Sequence, residues 1–208
     1  MGDPKYIYDL RQVVYDAQVL QSSTNTVAVT QDIDDTTSYA GVTEALGGAW
    51  TVGAGGTNGL AALAARLEFP KNLVFTVAGA HVTQYYARAY GIGMNGRMQS
   101  ELFTITAAGT YTGNLAFLTC DRVAFWGYVG AGLDTTEEVM IGVGTKVGLP
   151  MPEGAVLVDV IKERFNSVEI INNPAGVNRT YGTYIPTSTL DASKVLELWY
   201  TIKIPLNF

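Results

Sequence analysis

The residue types that could do chemistry in this 208-residue chain are few, and their spacing decides what they can do. Gly91-Ile92-Gly93-Met94-Asn95-Gly96 fits the pattern G-x-G-x-x-G, which in dinucleotide enzymes holds a pyrophosphate at a helix N-terminus. That use needs a strand before the glycines and a helix after them. Here residues 97–103 lead into another strand-like run, and Asn95-Gly96 is a favoured hairpin pair, so the spacing predicts a turn. Gly142, Gly144 and Lys146 do not have phosphate-loop spacing. Asp32, Asp34 and Asp35 could offer carboxylates to Ca²⁺, but the glycine and distal glutamate of an EF-hand loop are missing. A solvated acidic loop is the simpler reading. Glu137-Glu138 is most simply a polar strand start.

His81 is the single histidine, with no second imidazole to share a zinc ion. A general-base role would need a nucleophile and an orienting acid, and no short-range pattern supplies either. Cys120, the single cysteine, excludes an intrachain disulfide and a Cys-based zinc site. It alternates with Leu118 and Ala124 in a strand-like run, which predicts an inert core thiol. Asn178-Arg179-Thr180 is a formal glycosylation site, without meaning if the protein is made in a bacterium. No catalytic residue, cofactor or metal is expected.

The elements that would position these residues are strands. Residues 73–80, 82–91, 99–107, 115–128 and 139–147 are short runs rich in Val, Ile, Thr, Phe and Tyr. They turn back at residues 91–96, 108–110 and 130–132, the form of antiparallel hairpins. Residues 32–59 are loop-rich, with Trp50 and Val52 in a short strand between glycine clusters. Residues 60–69 have helix-favouring composition, but Leu63, Leu67 and Phe69 oppose Arg66 and Glu68, so a strand is expected from Ala65 onward. The clearest local signal closes the chain. Leu196, Leu198, Tyr200, Ile202 and Ile204 alternate with Val195, Glu197, Trp199, Thr201 and Lys203, and Pro205 stops the run. Trp199 on the outer face either packs under a neighbouring loop or touches another subunit.

At the other end, Tyr6, Ile7, Tyr8, Leu10, Val13, Val14 and Tyr15 form a dense apolar run without an amphipathic period. It is either an ordinary strand of the fold or an arm reaching onto a partner, with Tyr6, Tyr8, Leu10 and Tyr15 as anchors. Residues 1–31 are accordingly expected to form an arm or first strand, and residues 32–208 a β-sandwich domain, with one continuous domain as the alternative.

Composition sets the outer bounds. Apolar residues make up 48% against 15% charged, which excludes a disordered polar chain. The net charge of −6 gives no electrostatic reason to bind nucleic acid or anionic lipid. Apolar runs are interrupted too often to span a bilayer, and Met1-Gly2-Asp3-Pro4-Lys5 does not open a secretory leader.

Residues 16–27, Asp16-Ala17-Gln18-Val19-Leu20-Gln21-Ser22-Ser23-Thr24-Asn25-Thr26-Val27, resemble the opening "S-D-A-Q-A-x-T-x-x-x-S-T-N-x-I" of tailed-bacteriophage capsid cement proteins, with Tyr15 where a serine is usual. The resemblance continues in order through Phe69-Pro70-Lys71-Asn72-Leu73-Val74-Phe75-Thr76, Ile105-Thr106-Ala107-Ala108-Gly109-Thr110, Leu115-Ala116-Phe117-Leu118-Thr119 and Ile141-Gly142-Val143-Gly144-Thr145-Lys146-Val147-Gly148-Leu149-Pro150. Its last mark is residues 182–194, which resemble "G-T-x-x-P-x-x-x-x-D-G-S-K" with Ala192 for the usual glycine. Each mark is a turn-and-strand pattern, and the specificity lies in their order.

The resemblance implies an all-β jelly-roll or related two-sheet sandwich with an N-terminal arm or extra strand. It implies a non-enzymatic cement or decoration protein on the outer capsid surface, assembled in the host cytoplasm. The partners would be the phage major capsid protein and further copies of the chain, a homo-oligomer with a trimer favoured and a dimer possible. A carbohydrate- or receptor-binding β-module of a phage fibre is the alternative.

Overall fold

The structure, a computed structural model, describes residues 6–15, 23–32, 44–45, 70–79, 82–130, 138–187 and 195–206. Its strands in chain order are β1 (Tyr6–Tyr15), β2 (Ser23–Asp32), β3 (Glu44–Ala45), β4 (Lys71–Ala78), β5 (Val82–Ile92), β6 (Met98–Ile105) and β7 (Gly109–Phe117). Then come β8 (Arg122–Gly130), β9 (Glu138–Gly148), β10 (Val156–Phe165), β11 (Val168–Ile170), β12 (Val177–Asn178), β13 (Thr183–Tyr184) and β14 (Leu196–Pro205). The fold is all-β, and every strand pairing is antiparallel. This is the all-β, jelly-roll-like sandwich that the resemblance implied, with its described strands laid out in three sheets where two were expected.

Three sheets make two cores. The first sheet runs β1-β14-β10-β11, the second β12-β13-β9-β4-β7, and the third β3-β8-β5-β6. Strand β9 is the spine of the second sheet: β4 lies along one edge, while β13 and then β2 share the other. Its Ile141 and Val143 enter a core with Leu73, Phe75, Ala87, Ala89, Phe103 and Val123, between the second and third sheets. Its Val147, with Leu149 just beyond, enters a separate core under the first sheet, with Leu157, Val160, Leu198 and Tyr200. One strand thus serves both cores.

The closing alternation is realised as written. Leu196, Leu198, Tyr200 and Ile202 are buried, and β14 sits inside the first sheet between β1 and β10. The glycine-rich segment between β5 and β6 is a hairpin tip. Gly93 N–H donates to Arg97 O at 2.9 Å, and Gly96 adopts a left-handed φ of 74° that suits glycine.

Two sequence expectations are corrected. The single strand over residues 115–128 is two strands in different sheets, because β7 pairs β4 while β8 pairs β5. Residues 118–121 carry the chain across by hanging on β5: Leu118 N–H donates to Ile92 O and Asp121 N–H to Tyr90 O, each at 2.7 Å. Cys120 therefore lies in this crossing and not in a strand, though it is buried as expected. The turn placed at residues 108–110 closes one step earlier. Thr106 and Ala107 N–H groups donate to the Tyr111 hydroxyl, and Gly109 already belongs to β7. Strand β10 was not foreseen at all. The expectations for residues 47–69, including Trp50 and the run 60–69, lie outside the described residues, as do His81, Asp34, Asp35 and Glu137.

Candidate functional site

Strand β1 is an extra strand of the sandwich, pairing with β14 without a register shift from Tyr6↔Pro205 to Tyr15↔Leu196. Directly opposed residues in a sheet share a face, so this register sorts β1. Ile7, Asp9, Arg11, Val13 and Tyr15 share the inner face of Leu198 and Tyr200. Tyr6, Tyr8, Leu10, Gln12 and Val14 share the outer face of Glu197, Trp199, Thr201 and Lys203. Three of the four candidate anchors of β1 are outward and exposed: Tyr6 at 42%, Tyr8 at 63% and Leu10 at 60%. Tyr15 is the correction. It is 3% exposed and its hydroxyl donates to the carbonyl of Gly148, so it belongs to the second core and is no surface anchor. Burial, followed by the nearby Tyr200, pushes its phenol far above the ordinary range.

Sequence reasoning placed Val14 in the apolar run but not among the anchors, and missed Val156, both exposed on the outer side of this sheet, and the cations over Tyr6 and Trp199. Lys203 Nζ lies 3.5 Å from the centre of the Tyr6 ring. Trp199 is half-buried, with Lys162 Nζ 5.4 Å and the Arg164 guanidinium 5.2 Å from its ring centre. Lys162 also pairs with Glu169 at 2.5 Å, and its hydrogen bond holds that carboxyl below the ordinary range. The sequence signal for this face lies in β14, whose period of two sets Trp199 and Lys203 outward; β1, apolar on both sides, shows its outer face only through its pairing with β14.

Among the described residues, several with chemical potential are held by bonds inside the chain. Lys146 Nζ donates to Gly113 O at 2.8 Å and Asn114 Oδ1 at 2.6 Å. The Asn72 amide donates to the same Gly113 carbonyl at 3.1 Å. Glu101 accepts the Asn114 and Leu115 N–H groups at 2.5 and 3.2 Å, and burial raises its carboxyl against the pull of those bonds. Glu163, fully buried, accepts the Tyr184 hydroxyl at 2.6 Å and the Thr187 N–H at 3.1 Å. These networks brace neighbouring strands. The Cys120 thiol is pushed up to about 12, by burial first and Asp121 second, so it is not a nucleophile near neutrality.

Asn178 caps a turn by accepting the Tyr181 N–H, and Arg179 donates to Val158 O. Glu138 opens β9, as a polar strand start should. A cleft of about 170 Å³ between Met94, Gln99, Met151, Pro152 and Tyr181 contains one carboxylate, that of Glu153, tied to Arg97 at 2.5 Å. Among the described residues no three His, Cys, Asp or Glu side chains converge as metal ligands.

What fold and surface define is a class: an antiparallel β-sandwich whose distinguishing feature is an exposed aromatic sheet face. Comparisons with protein-family models, with curated proteins and with solved structures found no match to this chain.

Proposed function

We propose that this chain is a structural protein of a tailed-phage virion, binding the outside of the shell across joints between major capsid subunits. The observation that carries the reading is the exposed face formed by Tyr6, Tyr8, Leu10, Val14 and Val156, beside the cation-flanked Trp199. Soluble monomers rarely leave such an apolar surface uncovered. Tyrosine and tryptophan anchors beside an arginine have the composition of a protein–protein contact. The ordered resemblance to capsid cement proteins supplies the identity of the partner. Such a protein needs contact area and no catalysis. Repetition of the contact around symmetry positions of the shell, by a homo-oligomer, multiplies weak binding into avidity.

The test is to add the purified chain to expanded shells, assembled without it from the major capsid protein of the same phage, and to image them. Ordered density at subunit joints, in fixed stoichiometry, is expected. A Tyr8→Glu/Val156→Glu variant should lose it while remaining folded. Shells left bare at saturating concentration would overturn the proposal, and binding to host surface glycans instead would favour the fibre module.

A further inference from the structure

The two edges of the first sheet are unequal. At one end β11 has three residues, and β10 beside it carries two register shifts in its pairing with β14. Short and bulged strands are how proteins keep sheet edges from pairing with other chains. The opposite edge, β1, has ten residues, Tyr6 to Tyr15, with no proline, no lysine and no register shift. Among the described residues no strand pairs with its far side.

The only charges on β1 are Asp9 and Arg11, two residues apart on the inner face and joined at 3.0 Å. Inward charges obstruct a foreign strand. They do not obstruct a second copy. If two β1 strands meet antiparallel about a two-fold axis normal to the sheet, opposed residues must share a face, so the axis passes through a residue. Centred on Asp9 the register opposes Asp9 to Asp9, and centred on Arg11 it opposes Arg11 to Arg11. Centred on Leu10 it opposes Asp9 to Arg11 twice, Ile7 to Val13, Tyr6 to Val14, Tyr8 to Gln12 and Leu10 to Leu10. This register satisfies every charge on the strand and overlaps all of residues 6–14.

We propose that the chain forms a two-fold dimer by antiparallel pairing of β1 with β1 of a second copy, in the register centred on Leu10. The interface is isologous and closes after two copies. It joins two four-stranded sheets into one of eight strands and brings both sets of Tyr6, Tyr8, Leu10 and Val14 onto one continuous face. The dimer takes the place of the trimer that shell geometry suggested, and it stands whether or not the protein decorates a capsid.

Crosslinking tests the register directly, because Cys120 is buried and silent. Under mild oxidation Leu10→Cys should form an interchain disulfide. Val14→Cys should not, since its two sulfurs would be separated by eight residues of strand, about 27 Å. Sedimentation tests the charges. Asp9→Arg and Arg11→Asp each turn both opposed pairs into like charges and should weaken dimerisation ~tenfold or more, while Asp9→Arg/Arg11→Asp restores it. Thermal unfolding confirms that each variant is folded, and should a single reversal fail to fold, the cysteine pair decides alone. A wild-type mass near 22.3 kDa at all concentrations would overturn the proposal. So would a dimer that crosslinks as well through Val14→Cys as through Leu10→Cys, or one indifferent to the single reversals.

Discussion

Lys71 is the residue where burial most directly becomes a measurable quantity. It is 1% exposed at the start of β4, and burial lowers its amine from the ordinary 10.5 to about 8. Unfolded, the side chain takes up its proton below 10.5; folded, it waits until about pH 8. Between those values the unfolded state holds more protons, so this group makes stability rise with pH. Cys120 acts the other way. Its folded thiol keeps its proton to about 12 against an ordinary 9.0, which makes stability fall from about pH 9 upward. The two effects are separated by comparing the wild type with Lys71→Met. From pH 8 to 10.5 the wild type should gain up to about 3 kcal/mol on the variant in denaturant titrations. A difference that stays constant over that range would show that burial does not lower the folded amine and that Lys71 stays charged in the fold.

At the scale of elements, the first glycine of the run that looks like a nucleotide loop, Gly91, is needed for chain crossing. A Cβ on Gly91 would stand 1.9 Å from the carbonyl oxygen of Thr119, in the segment that carries the chain from β7 to β8. The obstacle is backbone, held by the bonds to Ile92 O and Tyr90 O, and it cannot swing aside. Gly91→Ala should therefore cost about 3 kcal/mol or more, whereas Gly96→Ala meets no atom and strains only φ. Equal chemical-denaturation midpoints for the two variants would refute the crossing as described. The crossing also explains what the sequence concealed. Residues 115–128 keep a strand-like composition throughout, and only the tertiary bonds to β5 show that the sheet changes at residue 118. Strand β10 was illegible for a different reason. Its register against β14 shifts between Leu157 and Asp159 and again between Val160 and Lys162, so the period of two is broken twice in ten residues. Strand β14, unbroken from Leu196 to Ile202, was fully legible. In β1 the apolar character was plain but its sides were not, since both faces carry large apolar residues. Only pairing with β14 sends Tyr15 inward and Tyr6, Tyr8 and Leu10 outward.

At the scale of the whole molecule, the question is whether two cores make two folding units. The first strand pairs with the last, and the second core closes only when β14 lies between β1 and β10. The first core draws on β2, β4, β5, β6, β7, β8 and β9 and uses neither β1 nor β14. What links them is β9, a continuous strand giving Ile141 and Val143 to one core and Val147 to the other. Tyr15 and Tyr184 tie the first sheet to the second, since one bonds Gly148 O at the end of β9 and the other joins Glu163 of β10. Loss of either core would leave β9 half-exposed along its apolar side, which favours a single cooperative transition. Variants keeping only Trp126, in the third sheet, or only Trp199, in the first, report the two ends by fluorescence. Their melting midpoints should coincide. Val147→Ala, which truncates a fully buried side chain of the second core, should cost about 2 kcal/mol. Through β9 it should lower both midpoints together by about 4–8 °C. If only the Trp199 midpoint moved, the cores would be independent, and a shell-binding sheet could melt without the sandwich that carries it.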